Sequence, residues 1–281
     1  MSLPKNILYP IDFSDRCRGV WPVVTDMARV LGAPITLLHA LDIDYRNDVI
    51  VAYLEAIRES VRGKLDCFLP ESDVPNVRRQ IADGPAAECI VQYAAKMEAP
   101  LIMMPTRGHT RFRQLLLGSV TAAVLHDADC PVWTEAHTEN GLTNSVGRRA
   151  LACAIDMSPR TPQLLQTASE FKTKFGAVLH VVHSVPGIDP RFPSGAANRA
   201  HRFLVEQARD DFKDYCSTAG IDAPLEIVED VGLVDGIAGA VSKHRADLLI
   251  IGRGVTQGPL GRLRTNAHDL IRRSPCPVLS V

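Results

Sequence analysis

The sequence predicts two tandem α/β domains, each a doubly wound parallel sheet flanked by helices. Three observations carry that prediction: an internal repeat, short apolar runs without polar alternation, and helix-capping residues in the gaps between those runs. The chain has 281 residues, and at roughly 150 residues per domain that length suits two domains with cores of their own.

The repeat is the strongest signal. Asn6-Ile7-Leu8-Tyr9-Pro10-Ile11-Asp12-Phe13-Ser14 recurs as Ala150-Leu151-Ala152-Cys153-Ala154-Ile155-Asp156-Met157-Ser158, an offset of 144 residues. Leu31-Gly32-Ala33 through His39 recurs as Phe175-Gly176-Ala177 through His183 at the same offset. Pro105 meets Gly252 at an offset of 147, and Cys130-Pro131-Val132 meets Cys276-Pro277-Val278 at 146. The polar stretch Thr134 to Gly147 between the copies reads as a linker, which puts the domains at 1–140 and 141–281.

The elements follow in order. Ile7 to Ile11, Ile35 to Ala40 and Leu101 to Met104 are apolar runs of strand length, as are Leu151 to Ile155, Val178 to Val182 and Leu248 to Ile251. Strands that show no polar face are those covered by helices on both sides, so largely parallel sheets are expected. Ser14 is placed to cap a helix over Asp15 to Leu31 that Gly32 ends, and Ser158 and Gly176 repeat the arrangement. Each copy therefore reads β-α-β-α-β-α-β-α-β, with fifth strands at Val132 to Glu135 and Val278 to Val281.

Composition narrows the class. Hydrophobic residues make up 46% and charged residues 22%, which is ordinary globular usage and excludes disorder. A net charge of −1 gives no electrostatic footprint for nucleic acid. The seven cysteines form no CxxC pair. The start lacks the apolar core of a signal peptide and no run of 18 apolar residues occurs, so a cytoplasmic protein away from membranes, with reduced thiols, is expected.

In doubly wound sheets, ligands bind beyond the carboxyl ends of the strands where the strand order reverses. Asp12 and Asp156 end the first strand of each copy, which makes both candidates. Copy one also carries Met104-Pro105-Thr106-Arg107-Gly108, then nine residues, then Gly118-Ser119-Val120 opening a helix. Backbone N–H groups at a helix N-terminus attract anions, and glycine lets a phosphate approach the main chain. The same residues also serve as turn glycines and an N-cap.

Pro10-Ile11-Asp12, the Gly108 to Gly118-Ser119 spacing and the ending through Cys130-Pro131-Val132 resemble the universal stress protein family, over nearly the whole chain as two tandem domains. The resemblance implies five-stranded parallel sheets of order 3-2-1-4-5, in a family that contains both ATP binders and members that bind no nucleotide. It implies that Pro10, Ile11, Asp12 and Ala40 line the adenosine side with Met104 near the base or ribose. Gly108, Gly118, Ser119 and Val120 then hold the phosphates of ATP or another adenine nucleotide, helped by a divalent ion such as Mg²⁺. It also implies an internal pseudo-dimer of the two copies through their last strands, with a homodimer as a further association.

Two departures bear on this. The first Gly of the family motif is Pro105 here, and Pro lacks the N–H and fixes φ near −65°. A position that donates to the ligand or needs positive φ is disabled by it; a position that needs only a turn is not. In copy two the loop loses one residue within Gly252-Arg253-Gly254, and Arg264-Thr265-Asn266 stands where copy one has Gly118-Ser119-Val120. Asp156 remains, and Ser184 replaces Ala40, so a second-copy remnant of Asp156, Ser184, Gly252, Gly254, Arg264 and Thr265 is expected to lack the triphosphate site.

His39 and His183 are repeat partners at the end of the second strand, where a structural histidine is expected rather than a metal ligand. Arg107, His109, Arg111 and Arg113 form a basic patch beside the phosphate loop, readable as solvated loop or as triphosphate steering. Walker, zinc-protease and nucleophile-elbow motifs are absent. Three functional classes follow: a stress-response regulatory module that binds adenine nucleotide in copy one, a slow ATPase, and a scaffold without nucleotide. No catalytic acid or base is placed by motif near Gly118-Ser119.

Overall fold

The computed structural model describes residues 3–42, 51–69, 76–106, 117–135, 150–187, 195–229, 232–253 and 265–281. They divide into two compact units, one over Pro4–Glu135 and one within Ala136–Val281.

In the first unit, β1 (Asn6–Pro10), α1 (Asp15–Leu31), β2 (Ile35–Leu41), α2 (Val51–Phe68), β3 (Val77–Asp83), α3 (Ala86–Ala95), β4 (Pro100–Met104), α4 (Ser119–Asp127) and β5 (Val132–Thr134) alternate as the repeat predicts. The strands pair in parallel in the order β3-β2-β1-β4-β5. Strand β1 sits in the middle, with Ile7, Leu8 and Tyr9 fully buried. That burial explains a run with no polar alternation, because helices cover both faces.

The second unit repeats the plan with β6 (Ala150–Ile155), α5 (Thr161–Phe175), β7 (Val178–Ser184), α6 (Gly195–Ala219), β8 (Leu225–Val228), α7 (Leu233–Lys243), β9 (Leu248–Ile251), α8 (Thr265–Arg273) and β10 (Val278–Ser280). Its order is β8-β7-β6-β9-β10, again parallel. In both units the chain winds outward from its first strand in one direction and then in the other. The reversal lies between β1 and β4 in the first unit and between β6 and β9 in the second.

The helix boundaries show how the sequence sets this geometry. Ser14 caps α1, its hydroxyl accepting from the Cys17 N–H, and Gly32 closes the helix at φ 68°. Gly32 N–H donates to Arg29 O and Ala33 N–H to Ala28 O, the paired bonds of a left-handed C-cap. Gly176 ends α5 in the same way at φ 61°. Ser158 does not cap α5, contrary to expectation: the helix starts at Thr161, where the Thr161 N–H donates to Ser158 O at 2.9 Å. Pro159 and Pro162 bracket that turn, and their fixed φ and missing N–H groups favour a tight turn before the helix over an N-cap at Ser158.

No helix among the described residues is long and apolar enough to cross a membrane.

Candidate functional site

At the carboxyl ends of β1, β2 and β4 the first unit encloses a cavity of about 260 Å³. Pro10, Ile11 and Asp12 reach it from β1, Ala40 from β2, Met104 and Pro105 from β4, and Gly118, Ser119 and Val120 from the start of α4. Nine sequence-predicted positions thus share one cavity. Gly108, with Arg107, His109, Arg111 and Arg113, lies outside the described residues.

Residues that the sequence did not single out complete the wall. Cys17 comes from the first turn of α1, Leu38 from β2, Ala86 and Ile90 from α3, and Thr121 from α4. Ala86 and Ile90 are four apart and so share one helix face. The cavity has an apolar slot (Leu38, Ala40, Ile90, Met104, Pro105) and a few polar groups on its margin (Asp12, His39, Ser119, Thr121). That combination is usual for sites that bury a small organic ring.

Asp12 is held by a local device. Its Oδ1 accepts from the Ser14 N–H at 2.9 Å, and Phe13 between them takes φ 61°. Asp156 accepts from the Ser158 N–H at 3.1 Å, with Met157 at φ 54°. Short polar side chains bind their own backbone two residues on in this way. In the first unit Cys17 Sγ also lies 3.0 Å from Asp12 Oδ1. Burial, and then the neighbouring Asp12 charge, push the Cys17 thiol up to about 12, so it stays protonated and can donate.

The two repeat histidines make equivalent ties. His39 Nδ1 lies 2.7 Å from Ile11 O, and His183 Nδ1 lies 2.9 Å from Ile155 O. A carbonyl only accepts, so Nδ1 carries the proton in both rings. Phe13 packs on the His39 ring at 4.5 Å and meets Phe68 edge-on at 5.2 Å, while the Arg18 guanidinium lies over Phe68.

At the other end, α4 opens on Gly118 with no side-chain cap. Its first intrahelical bond runs from Ala122 N–H to Gly118 O. The N–H groups of Ser119, Val120 and Thr121 precede that bond and have no intrahelical acceptor, which is the chemistry of an anion site. Pro105 does not break the base of this loop. Its carbonyl accepts from Thr121 Oγ1 at 3.2 Å, and Thr106 O accepts from the Gly118 N–H at 2.9 Å, so β4 and α4 are stitched where the loop leaves and returns. Of the main-chain donors there, Pro105 supplies none and Gly118 is already committed.

In the second unit, Asp156 follows β6, Ser184 ends β7 and Gly252 follows β9, so three expected remnant residues lie at neighbouring strand ends. Gly254 and Arg264 lie outside the described residues. Thr265 starts α8, and its side chain is likewise outside them. Arg253, next to Gly252, is buried, and its N–H donates to Val281 O at 2.7 Å.

With this geometry in hand, comparison with known proteins gives a consistent result. The model of the universal stress protein family matches residues 4–134 and again 147–281. A universal stress protein of Thermus aquaticus is 32% identical over 136 residues, covering 46% of this chain and 96% of the relative. One of Methanocaldococcus jannaschii is 27% identical over 139 residues, covering 47% and 81%. Among solved structures, a universal stress protein from Archaeoglobus fulgidus superposes with a TM-score of 0.61 at 24% identity, over 99% of this chain and 96% of that one. A protein from Pseudomonas aeruginosa, described as a universal stress protein, gives 0.65 at 18% identity over 99% and 93%.

Proposed function

The chain belongs to the universal stress protein family, and we propose that it is a regulatory binding protein whose first unit takes an adenine nucleotide, ATP in the first instance. The observation that carries this reading is the shape of one cavity, an apolar slot with a carboxylate at one end and an uncapped helix N-terminus at the other. A purine fits the first feature, the hydroxyls of its sugar the second and its phosphates the third.

The residues have distinct parts in this reading. Leu38, Ala40, Ile90 and Met104 exclude water from the faces of the base. Asp12 accepts from the nucleoside, and Ser119 and Val120 donate main-chain N–H groups to phosphate, with the Ser119 hydroxyl beside them. A divalent ion such as Mg²⁺, if it accompanied the phosphates beside Ser119, would neutralise part of their charge. Pro105 reduces the number of main-chain donors but leaves the loop base intact, which favours retained binding over a scaffold without nucleotide.

The second unit serves structure or a different anion in this reading. Mass spectrometry of small molecules released by denaturing protein purified without added nucleotide tests the proposal. Stoichiometric ATP, ADP or AMP is the expected result, and steady-state phosphate release then separates a binding module from a slow ATPase. Protein that carries no nucleotide and binds none in calorimetry would leave the scaffold reading.

A further inference from the structure

We infer that the second unit carries a site for a small organic cation, a compound with a guanidinium or primary ammonium head, in the cleft where α5 meets the end of α6. Both helices end there, each just before the strand that follows it, so the cleft lies toward the amino ends of the strands. It is separate from the strand ends to which the nucleotide reading applies.

The cleft has a volume of about 530 Å³. Gln166, Ser169, Glu170, Thr173 and Lys174 form one wall, and spacings of three, four, seven and eight residues put them on one stripe of α5. The opposite stripe packs on the sheet, with Leu164, Leu165, Ala168 and Phe171 buried. Glu170 Oε2 is removed from solvent and has no hydrogen-bond partner, a cost that a donor would recover. Lys174 is four residues on, where a helix favours a partner, yet no ion pair joins the two among the described residues. The last torsion of a glutamate is soft, so a small turn presents Oε2 to a guest.

The rest of the lining has the same sign. Thr173 Oγ1 donates to Ser169 O at 2.9 Å, so its lone pairs remain as acceptors. Ala219 and Gly220 line the cleft from the end of α6. There Gly220 N–H donates to Ser217 O and Ile221 N–H to Cys216 O, so the carbonyls of Thr218 and Ala219 follow the last intrahelical acceptor. They form the negative end of the helix dipole. No group of three metal-ligating side chains comes together among the described residues, so the lining suits a cation with N–H donors rather than a metal ion.

The first unit shows what this carboxylate takes. Asp26 stands 144 residues before Glu170, at the repeat offset. Its Oδ2 is likewise buried without a partner. Its Oδ1 receives the guanidinium of Arg29, three residues on, at 2.5 Å. The place of Arg29 is held in the second unit by Thr173, which has no charge. The two carboxylates sit alike, and a guest cation fills in one unit the role that Arg29 fills in the other.

Amide NMR of the full chain titrated with ethylguanidinium, ethylammonium and acetate tests this in wild type, Glu170→Gln and Thr173→Arg. In wild type one or both cations should shift the amides of Ser169, Glu170, Thr173 and Gly220, with a dissociation constant of about 1 to 10 mM for so small a ligand. The tighter cation identifies the head group. Glu170→Gln keeps the shape and removes the charge, and should weaken binding about tenfold or more. Thr173→Arg supplies a guanidinium from within, as Arg29 does, and should abolish binding. No saturable shift with either cation, a stronger response to acetate, unchanged affinity in Glu170→Gln, or binding that survives Thr173→Arg each overturns the inference. Nucleotide binding in the first unit is untouched by any of these results, so the two readings fail separately.

Discussion

Phe13 and Met157, 144 residues apart, share the left-handed backbone conformation that only a few per cent of non-glycine residues adopt, at φ 61° and 54°. Each follows an aspartate that bonds the N–H two residues ahead. The carboxylates therefore have a folding role that is separate from any ligand, and substitutions must be chosen with both in mind.

Asp12→Asn keeps an oxygen for the Ser14 N–H and loses the charge, whereas Asp12→Ala loses both. Nucleotide affinity should fall about tenfold to a hundredfold in either variant, the range for a hydrogen bond to a charged group. Only Asp12→Ala should also lower stability, by about 1 kcal/mol. Calorimetry and urea unfolding on the same samples check the two claims, and equal affinity in all three proteins would remove Asp12 from the site.

Gly118→Arg places a long side chain at the start of α4, in the position where the second copy has Arg264. Binding of ATP to the full chain should drop below detection, with no remaining isotherm from the second unit. A micromolar isotherm that survives Gly118→Arg and disappears on adding Asp156→Ala would show that the shortened second loop still works.

Thr121→Val is nearly isosteric and removes the hydroxyl that donates to Pro105 O. Loss of one buried hydrogen bond should cost about 1 kcal/mol, read as a lower urea midpoint. Because the stitch holds the base of the phosphate loop, affinity for ATP should fall more than affinity for adenosine. Equal losses for both would place the effect outside the loop.

His180 and His244 stack at 3.9 Å in the second unit, with Glu226 accepting from His244 and from Lys243. Burial, then the neighbouring His244, hold the His180 pKa below its ordinary 6.5. The unfolded chain therefore takes up this proton first as pH falls, so the stability contribution is full above about 6.5 and declines below it. Burial raises the Glu226 pKa, but hydrogen bonds from Lys243 and His244 outweigh it and bring the net value below 4.5, so its contribution is lost only in stronger acid. His180→Phe keeps a stacked ring and should flatten the upper limb of a plot of unfolding free energy against pH, leaving the lower limb in place.

Gly32→Ala puts a Cβ into open space at φ 68°, so its cost is conformational rather than steric. About 1 kcal/mol is expected. Gly32→Asn should cost less, because asparagine tolerates that region, and denaturant midpoints of the two variants distinguish the terms.

What the sequence made legible was whatever repeats or is buried on both faces. The central strands announced themselves as apolar runs, and the glycine caps fell where expected. Strands β3 and β8 did not, since β3 lies at a sheet edge and exposes Arg78, Arg79 and Gln80, so it reads as polar chain. The cap at Ser158 failed because two prolines impose a turn that outweighs a serine. In the cavity, residues on the strand ends were legible from topology. Cys17, Ala86 and Ile90 were not, because a helix residue facing a cavity carries the same apolar signal as one facing the core. Only the position of Cys17, five residues after Asp12 in a capped first turn, hinted at its placement.

The histidine tie has a consequence for how the rim of each sheet behaves. Parallel strands fray where their ladder ends, and loose ends lose conformational freedom when something docks on them. In this chain Ile11 N–H already donates to Leu38 O at 2.8 Å, and the His39 ring then bolts the next residue of β2 back to Ile11 O. The wall is ordered before any guest arrives. Amides at this edge should consequently exchange with deuterium almost as slowly as those in the sheet interior, and a guest that docks there spends little of its binding energy on freezing the protein.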